Sequence, residues 1–351
     1  MPGVDVNVIL LVFVGLCAGV LSGFAGVGGA FIVTPALIIL GFPANFAVGT
    51  SLIWVMGNSV VGALRHGRLG NVDMKLGLVL LVAATSGMEV GVRILNWTTN
   101  IGLADEVVLS ISICLLLIVG IYTLLECGAR KRHLDRMLAQ KEKLPPAMRA
   151  THLSKKLQSI SIPPMLHFAK SGVTISLWAI LSIGFFIGML SGLIGVGGGF
   201  IMVPSLMYLF GLPSFMAVGT DLFQIIFSAA YGSIRHTMSG NVIIFAAFIM
   251  LFASSIGVQF GALVTSYVRG VSVRCILGIS ILICAIGTIL KLSSILLEKA
   301  TSGLEIGSLA VTFGGMGIVV IMVLTLFIVA IRYRRGQHIP AWVESLVVKE
   351  D

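Results

Sequence analysis

Residues 15–35, GLCAGVLSGFAGVGGAFIVTP, return at residues 184–204 as GFFIGMLSGLIGVGGGFIMVP, an offset of 169. After one extra residue the offset becomes 170. GFPANFAVGT at 41–50 then matches GLPSFMAVGT at 211–220, Arg65-His66 matches Arg235-His236, and Gly70-Asn71-Val72 matches Gly240-Asn241-Val242. The chain is therefore two homologous halves. Outside the motifs the sequence is apolar: of 351 residues 57% are hydrophobic and 11% charged, with a mean hydropathy of +1.08. A soluble domain carries about 25% charged residues. Apolar runs long enough to span a bilayer recur to the C-terminus, which excludes a soluble enzyme or a secreted module.

Each half reads as five apolar segments, at 7–22, 30–41, 47–64, 75–95 and 105–126, then 174–192, 199–211, 217–235, 241–267 and 272–293. An eleventh covers 306–331. The second segment of each half is too short for a hydrocarbon core of roughly 30 Å and reads as a broken or re-entrant helix. The surplus positive charge, part of a net +9, is concentrated between residues 128 and 170, from Arg130, Lys131 and Arg132 to Lys170. Cytoplasmic loops collect Lys and Arg, so this stretch sets the inside. Counting crossings from it puts Arg65, Arg68 and Lys75 inside, Asp105 and Glu106 outside, and Arg269, Arg274 and the tail after the eleventh segment inside. Five is odd, so the halves enter the membrane from opposite sides as inverted-topology repeats; the count also holds if the first two segments of a half form a re-entrant hairpin, and fails if only the short segment re-enters. The expected fold class is an all-α polytopic membrane protein, with membrane repeats at 1–127 and 172–297, a basic cytoplasmic loop at 128–171, a C-terminal transmembrane helix at 298–335 and a tail at 336–351. The N-terminus lacks a basic n-region and reads as a retained membrane segment lying outside.

The glycines that interrupt each half carry the main chemical expectation. Gly26, Gly28 and Gly29, and their equivalents Gly195, Gly197 and Gly198, precede the short second segments. Backbone N–H groups there can converge on one point just before a helix begins, which makes an anion cradle. The alternative is close helix packing, and Gly15, Gly19 and Gly23 with Gly184, Gly188 and Gly192 form small-xxx-small faces suited to it. Thr50 and Thr220, at the starts of the third segments, are expected either to cap those helices or to donate to a bound oxyanion. Asp221 and Glu89 are the candidates for ion coupling, with an N-cap role and a pair with Arg93 as their respective alternatives. Arg65, His66, Arg235 and His236 close the third segments, as anion attractors at each mouth or as interfacial anchors. The five cysteines show no CxxC spacing and argue neither a disulfide framework nor a metal site. No HExxH, GxSxG or Walker loop is present, and the glycine spacing does not match GxGxxG, so neither an enzyme, a cofactor, a metal nor a nucleic-acid partner is expected.

The motifs GxLSGxxGVGGxFxxxP, a proline turn with AVGT, and RHxxxGN, each occurring twice, resemble the sulfite exporter TauE/SafE family. The resemblance covers about 20–95 and 188–265. It implies an inner-membrane permease for small inorganic or organic sulfur anions such as sulfite or organosulfonates, often an exporter, with proton coupling open. The long basic loop departs from the family's compact pattern and is expected to lie on anionic lipid headgroups. On this reading the chain is a secondary transporter with alternating access between its repeats. The other classes open to it are a passive anion channel and a non-transporting scaffold acting through the basic loop. The anion, the direction and a homodimer are left open by the sequence.

Overall fold

The computed structural model describes residues 7–25, 29–140, 163–265, 268, 270–297 and 301–334. Gly26 and Gly28, the part of the basic loop at 141–162 and the tail beyond residue 334 lie outside the described residues. The helices are α1 (Val8–Ala25), α2 (Ala30–Ile39), α3 (Ala44–Arg68), α4 (Met74–Asn100), α5 (Ala104–Gln140), α6 (Leu177–Ile194), α7 (Gly199–Tyr208), α8 (Ser214–Met238), α9 (Ile244–Thr265), α10 (Gly270–Leu296) and α11 (Thr301–Arg334). Strands β1 (Met165–Phe168) and β2 (Val173–Ser176) pair antiparallel between α5 and α6. Among the described residues eight helices are long and apolar enough to cross a membrane. α2 and α7 have 10 residues each, or roughly 15 Å, and do not span.

The boundaries follow local chemistry. Gly211 (φ 77°) ends the turn after α7, with Leu212 N–H donating to Leu206 O at 3.0 Å, and Pro213 (φ −58°, ψ 143°) then stands as the N-cap of α8. The same GxP sequence precedes α3, where Pro43 is the N-cap. A proline's fixed φ suits the approach to a helix. Both helices therefore start three residues before the expected 47 and 217, and Thr50, Thr220 and Asp221 lie inside them instead of at their ends. α3 and α8 terminate alike, at Gly70 (φ 73°) and Gly240 (φ 74°), where Asn71 and Asn241 N–H donate back to His66 O and His236 O at 2.9 Å. This is the Schellman arrangement a left-handed glycine permits.

The chain divides into two compact units that interleave in sequence: Met1–Phe42, Leu109–Leu144 and Phe252–Asp351 form one, Pro43–Val108 and Pro145–Leu251 the other. In the first, α1 packs on the C-terminal part of α9 through glycines. A Cβ at Gly19, Gly23, Gly257 or Gly261 would lie 2.1–2.4 Å from a backbone oxygen of the facing helix. Cys127 of α5 and Cys275 of α10 are disulfide-bonded, with Cα atoms 5.5 Å apart, beside the Arg274–Glu126 ion pair. No spacing rule reveals this bridge, because the packing of α5 on α10 joins residues 148 apart.

In the second unit α4 and α6 run parallel and equally close. Gly87 and Gly91 meet Phe185 O and Met189 O, and Gly188 and Gly192 meet Ala84 O and Met88 O, at 1.9–2.5 Å from their Cβ positions. The packing reading of Gly184, Gly188 and Gly192 is thus half of the matter, since the opposing helix carries matching glycines. The β1–β2 hairpin buries Phe168, Val173 and Ile175 in a core with Leu76, Leu80, Ile180 and Leu206. Its turn is latched to the α3–α4 connection: Lys170 Nζ donates to Val72 O at 2.8 Å and Ser171 Oγ to Asp73 Oδ2 at 2.7 Å. Exposed Trp97 and Trp178 mark opposite ends of the parallel pair, as aromatic anchors at two membrane faces do.

Candidate functional site

Of the candidate site residues, all but Gly26, Gly28 and Gly29 belong to the second unit, where equivalent motifs grip one another reciprocally. α3 and α8 cross antiparallel: a Cβ on Gly62 would meet Leu222 Cδ1, and one on Gly232 would meet Leu52 Cδ1, both at 2.9 Å. The AVGT glycines admit the turn of the other repeat. Gly49 lies against Asn241 O and Gly219 against Asn71 O, each 2.2 Å from the Cβ position. Ile243 N–H donates to Thr50 Oγ at 3.1 Å and Asp73 N–H to Thr220 Oγ at 3.0 Å. Both threonines are fully buried. Their hydroxyls accept from backbone, which places them as braces between AVGT and GN turns and not as helix caps.

The break between α6 and α7 is enclosed. Residues 191–200 are all buried, and Gly195, Gly197 and Gly198 have φ of 72°, 71° and 82°. Gly197 and Gly198 are adjacent left-handed residues that lead directly into α7, while Gly195 N–H donates to Ser191 O at 2.8 Å. α7 then begins at Gly199 with no side chain capping it, and Ile201 and Met202 N–H donate to Gly198 O at 2.9 and 2.8 Å. Ser191, 3% exposed, has an Oγ without a partner, and its Cβ lies 4.0 Å from where a Cβ on Gly198 would be. Val55 Cγ1 of α3 closes the other side, 2.5 Å from the Cβ position of Gly197. In the first unit Gly29 precedes α2 with φ 62° and is buried.

Buried polar residues recur at equivalent positions on α3 and α8: Ser51 with Asp221, Trp54 with Gln224, Asn58 with Ser228. The spacing of three and four residues puts each trio on one face of its helix. Ser51 Oγ, Trp54 Nε1 and Gln224 Oε1 have no partner. The signal for these positions in the sequence is a shared helical phase in both repeats.

Charged candidates separate. Glu89 accepts from Arg93 Nε (2.8 Å), Arg235 Nε (2.7 Å) and Nη2 (2.9 Å), and Tyr231 Oη (2.8 Å). Arg235 is therefore committed to a carboxylate, and His236 is fully buried with Nε2 3.2 Å from Gly192 O. In the last turn of α8, Arg235, 31% exposed, lies against α4 and buried His236 against α6. Arg65 is exposed and His66 is half-buried, beside Gly219. Asp221 is 2% exposed and takes Gln224 Nε2 at 3.3 Å. Among the described residues no group of three or more His, Cys, Asp and Glu is placed to hold a metal.

Residues 11–288 match the family described as Sulfite exporter TauE/SafE. The chain belongs to that family. Among TauE/SafE-like relatives, YunE of Bacillus subtilis, named a probable membrane transporter, is 28% identical over 244 residues, 67% of this chain and 80% of its own. A probable membrane transporter of Methanocaldococcus jannaschii is 27% identical over 204 residues, 56% of this chain and 60% of its own. Sulfite exporter TauE/SafE family protein 6 of Arabidopsis thaliana is 29% identical over 119 residues, 33% of this chain and 26% of its own. No solved structure matches. Eight apolar helices among the described residues and transporter relatives make this TauE/SafE member a multi-pass membrane protein of the transporter class.

Proposed function

We propose that the protein is a secondary transporter that exports small sulfur-containing oxyanions, sulfite or an organosulfonate, across the cell inner membrane by alternating access. The observation that carries this reading is the buried α6–α7 break, where three left-handed glycines, an uncapped helix start and an unpartnered Ser191 hydroxyl meet. An oxyanion needs donors and no competing water, and a buried helix start supplies both. In transporters, interrupted helices of this kind lie at depth where they line the substrate site. The antiparallel crossing of equivalent helices α3 and α8 supports inverted repeats, the architecture on which rocking between two access states is built. The charge distribution supports a cytoplasmic basic loop and C-terminus with the N-terminus outside.

Flux of labelled sulfite and organosulfonates in proteoliposomes tests the reading. Ser191→Ala removes one donor without straining the loop, and it is expected to weaken half-saturation by roughly tenfold, the loss of one charge-assisted hydrogen bond. Gly197→Val, forced against Val55 at a positive φ, is expected to abolish transport. Unaltered kinetics in folded Ser191→Ala would remove the break as the anion site.

A further inference from the structure

We infer that Asp221, together with Gln224, is the proton-binding site of this transporter and carries one proton per anion; this rests on the transport reading above. Five other carboxylates are met by donors, Glu305 by Lys291 among them, and half-buried Glu106 has one oxygen, Oε2, without a partner. Glu89 has Arg93, Arg235 and Tyr231, Glu126 has Arg274, Asp73 has Leu76 N–H and Ser171 Oγ–H, and Asp105 has Ala44 N–H. Asp221 is buried as deeply as any of them yet has one amide contact, at 3.3 Å.

The groups around it do not change this. On α8 itself Tyr231 and Arg235 turn to Glu89 and His236 to Gly192. α3 brings His66 beside Gly219, with Arg65 and Arg68 exposed at the same end. The α3–α4 turn brings Asp73, whose carboxylate is engaged by Leu76 and Ser171. On α4, Lys75 is held by His167 O and the Phe168 ring, and Arg93 lies with Glu89. α7 carries Tyr208 as its one ionisable residue. Among the described residues none forms an ion pair with Asp221.

The pair also holds acceptors in excess. Gln224 Nε2 donates to Asp221 Oδ1, and Gln224 Oε1, in a side chain 1% exposed, is left without a donor. Two carboxylate oxygens and an amide oxygen thus share one amide group between side chains only 1–2% exposed, an arrangement costly to leave unfilled. A proton on Asp221 supplies the missing donor. A hard metal cation would gather about six oxygens, and the adjacent Thr220 Oγ already accepts from Asp73 N–H. The equivalent positions of the other repeat are Ser51 and Trp54, so the carboxylate occurs once per chain.

Infrared spectra and flux on reconstituted protein test this. The parent is expected to show a protonated-carboxyl stretching band that Asp221→Asn removes and Asp221→Glu displaces. Sulfite efflux is expected to move protons in the parent. In Asp221→Asn that proton movement and gradient-driven net flux fall by about tenfold or more, the size of an energetic coupling, while sulfite–sulfite exchange persists. A band unchanged by both substitutions, proton movement at the parent's ratio in Asp221→Asn, or parental flux driven by a sodium gradient would overturn the site. If the parent carries no sulfite but the band responds as expected, the proton site stands and the anion reading falls.

Discussion

Glu89 and Asp221 lie on two helices of one unit, α4 and α8, and meet opposite surroundings. Sequence marks both, as carboxylates inside apolar segments, and stops there. Arg93 is visible four residues from Glu89, whereas Arg235, which takes both its oxygens, is 146 residues away. That the second-half Arg-His pair divides, one side chain to a carboxylate and one to a backbone oxygen, follows from where the last turn of α8 lands. Both Glu89 oxygens are therefore engaged by donors, from Arg93, Tyr231 and Arg235. Glu89→Gln is expected to lower the melting temperature in detergent by roughly 2–4 °C, the shift of a partly exposed ion pair, and to leave the proton-to-anion ratio at the parent's value; a changed ratio in a flux assay would return Glu89 to the coupling machinery. Thr50 and Thr220 teach the same lesson. Their hydroxyls were legible as buried polar groups, but the backbone donors they serve belong to the other repeat.

At the scale of helices, contact is made by backbone. Gly87, Gly91, Gly188 and Gly192 let α4 and α6 approach until carbonyl oxygens fill the space a side chain would take, and small residues substitute in lipid for the hydrophobic drive available in water. Gly188→Leu is expected to force the pair apart and cost about 3 kcal/mol or more of stability, read as loss of monodisperse protein on size exclusion and a lowered unfolding temperature. Gly67→Ala, at a position with nothing within 4 Å, is the control. Segment number and order were legible, because apolar length and the glycine and proline punctuation are local properties. The helix starts were misplaced by three residues because a proline N-cap leaves no polar signature. The hairpin escaped altogether: MLHF and VTIS are four-residue strands, and what stabilises them is the core around Leu76 and Leu80. α5 continues to Gln140, past the expected 126, since a helix can run on from apolar into basic sequence without a break.

For the chain as a whole, the duplication was the most legible feature and the pairing between copies the least. Repetition is a property of sequence alone, while each brace in the second unit joins one repeat to the other: Thr50 to Ile243, Thr220 to Asp73, Gly188 to α4. Neither half is then expected to fold alone. Chains cut within residues 141–162 should each fail to accumulate in membranes when expressed singly and should recover uptake or efflux when expressed together; a stable, folded single half would show that the reciprocal bonds are dispensable. The same reciprocity bears on ancestry. A lone half inserted in both directions would satisfy every one of these bonds with a copy of itself, as an antiparallel dimer encoded by one gene. In such a dimer any acidic residue comes twice, and with it two charges to be neutralised on each turnover. In a single chain position 51 can differ from position 221, as the serine and aspartate found there do, and on the proton reading that difference lets a duplicated machine count to one.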